Sequence, residues 1–292
     1  MKHLRGFSKD DEGISGAVTA TLIIATITLV FTGIYAVVVP VWVENTETNH
    51  MQKVSNDFTN MKKNIDTQVA QGASALVMSS TITLRPDPTN NFFGIGGKVF
   101  SGTLTVDPYS ERFNLTNAEN TYEVYGSCQG AIYFQPKNQK YADGASIRFI
   151  YSNGAVLKAQ TKAGVMITAP IFNLVDEAGN RTLYFSTIRL YGEPTSISGS
   201  KAVSVETRTL NALIEEYEGG VWDSKVNVTI NATSNMGYAS VYKSFYEERL
   251  KVLGFASGKD YISTGSGDNF GVTIKNVTRV MLYSGTIEVV LR

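Results

Sequence analysis

Histidine and cysteine, which most often carry acid–base, nucleophilic and metal-binding chemistry, are scarce in this sequence. His3 and His50 are the only histidines, and Cys128 is the only cysteine, so no intrachain disulfide can form. The chain beyond residue 50 therefore lacks the usual general base and zinc ligand. We expect no hydrolase triad, no histidine metal site, no cofactor and no enzymatic activity. Cys128, between Gly126 and Gly130, is expected to be a small buried apolar side chain.

Clustered acidic residues are the remaining candidates for catalysis or cation binding. Asp176, Glu177 and Asn180 occur together in LVDEAGNRT, and three glutamates lie close together in IEEYEGG. Neither segment has the alternating oxygen ligands of a calcium loop, so the first favours an exposed turn and the second a solvated strand end. The glycine-rich segments FFGIGGKVFSG and STGSGDNFG lack the spacing of phosphate loops and favour turns.

Asparagine sequons offer modification chemistry. Five Asn-x-Ser/Thr sequons occur, all beyond residue 110 and several beside predicted turns. An exported domain can carry glycans at such positions, so we expect a glycoprotein. The candidate residues are Asn114, Asn180, Asn227, Asn231 and Asn276.

A long apolar segment precedes all of these residues. Residues 14–43 contain no charged side chain and would span about 45 Å as a helix, enough to cross a membrane. Basic residues before it favour a cytoplasmic N-terminus and an exported body. Pro40 is expected to interrupt the helix near its end. Small residues that permit close helix packing recur along the segment, and the candidates are Gly16, Ala20, Thr26 and Gly33.

An amphipathic pattern continues directly from the apolar segment. Its apolar positions recur every three or four residues, which predicts one helix from about residue 14 to about 71, ended by Gly72. Two interpretations fit the spacing: a membrane anchor with a stalk helix docked on a soluble domain, or a filament subunit whose half-buried helix supports its globular domain. The apolar stripe comprises Met51, Val54, Phe58, Met61, Ile65 and Val69.

Strand patterns dominate from residue 74 onward. Asn153-Gly154 lies between two β-rich runs and is the strongest hairpin signal. RVMLYSGTIEVVLR predicts two strands around Ser284-Gly285, and about ten short strands are expected in all. One late helix is predicted, with Asn235 as N-cap and Gly254 as its stop. The expected fold class is α+β: a long hydrophobic helix, then an antiparallel β-sandwich or jelly-roll-like domain with one late helix.

The segment FSKDDEGISGAVTATLIIATITLVFTGIYAVVV resembles the N-terminus of archaeal type IV pilins and pilin-like proteins, which carry a class III, prepilin-type signal peptide. The resemblance covers about residues 1–40. In that family a basic leader with acidic residues precedes a hydrophobic helix, and a membrane aspartyl prepilin peptidase cuts before the helix. Two positions differ from the usual pattern: Glu12 replaces a Lys or Arg, and Ser15-Gly16 replaces a Ser-Pro pair.

The resemblance implies a processing site at one of three bonds. The bond between Gly13 and Ile14 is preferred, because it keeps a small residue before the cut. The bond between Glu12 and Gly13 matches the acidic-leader alignment. A cut after Gly6 resembles bacterial junctions, but it would leave three acids in an apolar helix, which is costly.

These observations divide the chain into a leader (1–13), a transmembrane and assembly helix (14–43), an amphipathic stalk helix (44–73) and an extracellular β-rich domain (74–292). The resemblance implies a structural subunit of a homopolymeric surface filament, membrane-bound before assembly by a prepilin peptidase, an assembly ATPase and a platform protein, with a role in cell adhesion. The alternative is a monomeric membrane-anchored binding protein with a β-sandwich domain; an anchored hydrolase using carboxylates ranks third. Because 26 basic and 26 acidic residues cancel, no nucleic-acid partner is expected.

Overall fold

The computed structural model describes residues 7–72, 75–86, 101–118, 124–137, 147–160, 163–199, 201–217, 225–234, 237–265 and 267–292. The chain divides into two compact units, residues 1–49 and residues 50–292. The described residues of the first unit are helical, and those of the second unit contain all of the described strands together with two helical segments. The boundary falls inside the amphipathic segment 44–73.

Helical structure extends from Phe7 to Gln71. It therefore begins about seven residues before the predicted start near residue 14, inside the segment assigned to the leader. Helix α1 (Phe7–Gly33) is followed by a π-helical segment (Ile34–Val38) and then by helix α2 (Val39–Gln71). Gly72 follows α2 with a φ of +61°, a left-handed conformation that ends a helix. The predicted C-terminal limit is therefore confirmed.

The stripe on α2 forms part of the core of the second unit. All six apolar positions are buried, which confirms the predicted amphipathic face. They pack with residues of several strands, among them Ile82, Leu104 and Ile287. Gln68 is also buried and donates from Nε2 to the carbonyl oxygens of Leu76 and Thr207, both at 2.8 Å. The C-terminal part of α2 is thus built into the β-rich unit.

Thirteen strands of the described residues form one mainly antiparallel sheet. The hydrogen-bonded order is β1-β10-β13-β11-β2-β3-β4-β5-β6, while β8 and β12 also pair with β13, β7 with β8, and β9 with β2. The β8–β13 pair is parallel. The strands are β1 Val77–Thr83, β2 Ser101–Asn117, β3 Val124–Lys137, β4 Arg148–Ser152, β5 Ala155–Gln160, β6 Ala163–Thr168, β7 Phe172–Glu177, β8 Asn180–Tyr191, β9 Thr195–Ser198, β10 Ala202–Tyr217, β11 Val226–Thr233, β12 Tyr261–Thr264 and β13 Asn269–Leu291.

The expectation of two short strands around Ser284-Gly285 is wrong. Strand β13 continues through both residues, and Gly285 pairs with Ala212 of β10 and Ile188 of β8. Glycine at this position lets α2 and β13 pack closely, because a Cβ atom at Gly285 would lie 2.6 Å from Val69 Cγ2 of α2. Several other strands are also longer than predicted, with 17 residues in β2 and 16 in β10.

Among the described residues, two hairpins have tight two-residue turns. Asn153 and Gly154 both have positive φ and join β4 to β5, which confirms the predicted hairpin. Ala178 and Gly179 also have positive φ and join β7 to β8. LVDEAGNRT therefore contains a turn, as expected.

Helix α3 (Ala239–Val252) covers a second core cluster. Its buried face includes Tyr242, Tyr246 and Leu250, and Tyr242 donates a hydrogen bond from its hydroxyl to the Ser152 carbonyl oxygen at 2.8 Å. Gly254, with a φ of +89°, follows the C-cap residue, as predicted. Tyr238 occupies the N-cap position, and the predicted cap Asn235 lies outside the described residues.

The long strands connect the two core clusters. The first half of β13 contributes Phe270 and Ile274 to the cluster beneath α3, and its second half contributes Ile287 and Val289 to the cluster beneath α2. Mixed helix and sheet with a late helix is the α+β arrangement that the sequence predicts.

Candidate functional site

The most unusual surface of the chain is the apolar helix. Residues Ser15–Val38 have a mean hydropathy of 2.2, and none of the apolar window is buried inside the molecule. Leu29 is 75% exposed and Leu22 is 62% exposed. Patches of this size on soluble proteins mark membrane or protein contacts. The segment is long and apolar enough to cross a membrane.

The threonines in this helix do not expose unpaired hydroxyl groups. Each donates from Oγ1 to the carbonyl oxygen four residues earlier, at 2.8–2.9 Å. A hydroxyl that is satisfied by its own helix costs little in an apolar medium. The residues are Thr19, Thr21, Thr26, Thr28 and Thr32.

The helix changes its hydrogen-bonding pattern just before Pro40. Proline has no N–H to donate to the residue four positions earlier, Ala36, and its ring crowds that carbonyl. The π-helical segment Ile34–Val38 lies directly before this position. The predicted interruption is therefore present, as a local widening of the helix.

The candidate packing residues occupy two faces of α1. At about 100° per residue, Gly16 and Ala20 lie close together, and Thr26 and Gly33 lie together roughly a third of a turn away. A Cβ atom at Gly16 or Gly33 would meet nothing within 4 Å. Packing within the chain therefore does not require a glycine at either position.

The candidate processing bonds lie near the start of α1. Glu12, Gly13 and Ile14 are within the helix, which begins at Phe7. Gly6 lies outside the described residues.

The sequon asparagines lie at different kinds of position. Asn180 is exposed at a hairpin turn, whereas Asn114 and Asn231 are exposed cross-strand neighbours within β2 and β11. Asn227 is half-buried, and its Oδ1 accepts the N–H of Asn276 at 3.3 Å. Asn276 is exposed at a register shift between β11 and β13, with a φ of 57°.

The acidic candidate Asp176 belongs to a structural ion cluster. Its carboxylate accepts from Arg181 Nε at 2.9 Å and from the Gly179 N–H at 3.0 Å, and these contacts lower its pKa. Arg181 also donates to Asp260 at 2.7 Å and lies over the Phe255 ring. Sequence reasoning missed Arg181, although it pairs directly with Asp176 across the turn.

The cluster therefore joins the β7–β8 hairpin to the segment after α3. Glu177 and Asn180 at the same turn are exposed. Within the described ranges, no three His, Cys, Asp or Glu side chains converge to hold a metal ion. Of the glutamates in IEEYEGG, Glu215 and Glu216 lie on the last part of β10, and Glu218 lies outside the described residues.

Cys128 is buried on β3, as expected for a small apolar side chain. Desolvation raises the pKa of its thiol.

Comparison with known proteins gives no relative to guide assignment: no protein-family model matches the chain, and no curated protein or solved structure matches it.

Proposed function

We propose that the chain is a structural subunit of a surface filament of the archaeal type IV pilus kind, assembled through its N-terminal helix. The observation that carries the proposal is the exposed apolar helix, which finds no covering surface in its own unit. It follows a leader and a GISGAV start that resemble those of the pilin family. Copies of the same helix would cover one another in a filament core.

Two features of the helix favour packing against several copies. Gly16 and Gly33 have open space where a side chain would be, and the small residues occupy two faces. The threonine hydroxyls are bonded internally, so the same helix is compatible with lipid before assembly and with a protein core afterwards.

The proposal includes the maturation route that the resemblance implies. A prepilin peptidase would remove the leader before Ile14 or Gly13. An assembly ATPase and a platform protein would then move the helix from the membrane into the growing filament. The β-rich unit would form the outer surface, with a role in adhesion, and its exposed sequons would carry glycans.

The processing step is tested by mass spectrometry of the N-terminus of the surface material. A mature chain that begins at Ile14 or Gly13, found in filaments by electron microscopy of sheared material, is the expected result. An intact Met1 on a detergent-extracted monomer would contradict the proposal and support the alternative, a monomeric anchored binding protein.

The packing step is tested by Gly16→Leu. Leucine fills the open space on the small-residue face, so filament yield is expected to fall at least about tenfold while the precursor still enters the membrane. Val18→Leu is the matched control, because it changes a bulky residue on the opposite face. Normal filaments from Gly16→Leu would show that this face makes no assembly contact.

A further inference from the structure

Four strands of the β-rich unit meet around a polar pocket of about 130 Å³. This volume corresponds to about four water molecules, which is room for a carboxylate and its neighbouring hydroxyl groups. Hydroxyl, amide and guanidinium groups dominate its lining. The polar residues are Ser127, Thr187, Arg189, Asn211, Ser284 and Thr286.

The strand register places these groups in rows. Asn211 of β10 pairs with Thr286 of β13, which pairs with Arg189 of β8. The next row on the same face contains Ser284 and Thr187. Because adjacent residues of a strand face opposite ways, Gly285 between these rows faces α2.

A bulge in β10 places the side-chain amide of Asn211 in the pocket. The register shifts between Thr209, opposite Ile287, and Asn211, opposite Thr286. An uninterrupted strand would place the apolar Leu210 opposite Thr286. Bulges re-aim side chains in this way and often lie at binding sites.

The charge in the pocket is unbalanced. Among the described residues, Arg189 forms no ion pair, whereas Arg208 on the adjoining strand pair lies 3.9 Å from Glu288. One carboxylate contacts a residue that lines the pocket: Glu215 Oε2 accepts from Ser284 Oγ at 3.5 Å. A guanidinium whose N–H groups are not already paired can donate hydrogen bonds to a carboxylate. Hydroxyl groups, which both donate and accept, can hydrogen-bond to a hydroxylated ligand.

We propose that this pocket binds the carboxylate end of an acidic saccharide. One cation surrounded by hydroxyl and amide groups suits a singly charged, hydroxylated ligand better than a phosphate, which usually meets several cations or a row of backbone N–H groups. The site is independent of filament formation, since its residues all belong to the β-rich unit.

The test measures binding of glucuronate to the full-length chain in detergent by titration calorimetry, with glucose and acetate as comparison ligands. Glucuronate is expected to bind more tightly than either. Arg189→Gln is expected to weaken glucuronate binding at least about tenfold, because a charge-assisted hydrogen bond is lost. Arg208→Gln removes a cation from the same surface outside the pocket and is expected to change the affinity less than about twofold.

Asn211→Leu supplies a second test, because it restores the apolar side chain that the bulge excludes. It should also weaken binding, and circular dichroism on each variant checks that the sheet is intact. Equal binding of glucuronate and acetate would overturn the saccharide assignment. Unchanged glucuronate affinity in folded Arg189→Gln, or no glucuronate binding by the unmodified chain, would overturn the site.

Discussion

At the scale of single residues, Gly285 was predicted to lie in a turn, but the structure places it inside β13, where close packing against α2 requires a glycine. Gly285→Ala would place Cβ 2.6 Å from Val69 Cγ2, so α2 or β13 must shift. We expect a loss of about 1–3 kcal/mol in the free energy of unfolding, measured by denaturant titration. The neighbouring Ser284→Ala, which lies on the opposite face, is the control.

A double-mutant cycle identifies the cause of that loss. Val69→Ala removes the methyl groups that obstruct the new Cβ, so the combined variant should lose less stability than the two single losses together. The expected difference is at least about 0.5 kcal/mol. Simple additivity would mean that the helix contact is not the reason for the glycine.

His50 gives the unit a dependence on pH. Its Nε2 lies 3.1 Å from the Thr83 carbonyl oxygen, and the ring packs edge-on against Phe134. Burial lowers its pKa below the usual 6.5, more than the nearby Asp57 and the Thr83 carbonyl raise it; Lys53 lowers it further. The unfolded chain therefore binds more protons than the folded one just below pH 6.5.

By linkage, the contribution of His50 to stability is present above pH 6.5 and is lost as the pH falls through the lower, folded pKa. We expect the urea midpoint of the unmodified chain to fall between pH 7 and pH 5 relative to that of His50→Gln, which does not titrate at this position. Parallel pH profiles for the two proteins would show that the buried ring is not responsible.

At the scale of elements, local signals were sufficient where one short segment determines the structure. The apolar stripe predicted α2, Gly72 its end, and Asn153-Gly154 the β4–β5 hairpin. The length of β13 could not be predicted, because its continuity depends on pairing with β10 and β8, which are distant in sequence. The pocket at Arg189 was missed for the same reason: strand register alone brings its residues together.

The β4–β5 turn is also hydrogen-bonded to β8 through the side chain of Asn153, a contact that the turn sequence alone does not predict. Asn153 Oδ1 accepts the buried N–H of Ile188 on β8 at 3.0 Å. Asn153→Gly keeps the positive φ but leaves that N–H unpaired, so it should cost about 1–3 kcal/mol in the free energy of unfolding. Asn153→Ala should cost about 1 kcal/mol more, because alanine is strained at a φ of 42°.

Thermal and denaturant unfolding of the two variants separates these contributions. A Gly variant as stable as the unmodified chain would show that the turn conformation alone matters. If the Ala variant were no less stable than the Gly variant, the left-handed geometry of the turn would be in question.

At the scale of the whole molecule, the helical segments serve two different units. The exposed apolar residues Ser15–Val38 belong to the first unit, whereas the stripe from Met51 to Val69 is part of the core of the second. Removing the stripe would remove roughly 10 kcal/mol or more of the stabilising free energy that comes from burying its apolar side chains. Typical domains are stable by about 5–15 kcal/mol in total.

Two shortened chains test this division. A chain that begins at His50 should be soluble without detergent, monomeric by light scattering and cooperatively folded, because it keeps the stripe and loses the exposed apolar surface. A chain that begins at Gly72 should fail to fold, since it loses six buried side chains together with the Gln68 bonds to Leu76 and Thr207. Equal stability of the two chains would show that α2 only rests on the sheet, and aggregation of the longer one would place its self-association surface in the β-rich unit. The expected pair of results would instead confine self-association to the apolar helix, where a filament of the proposed kind requires it.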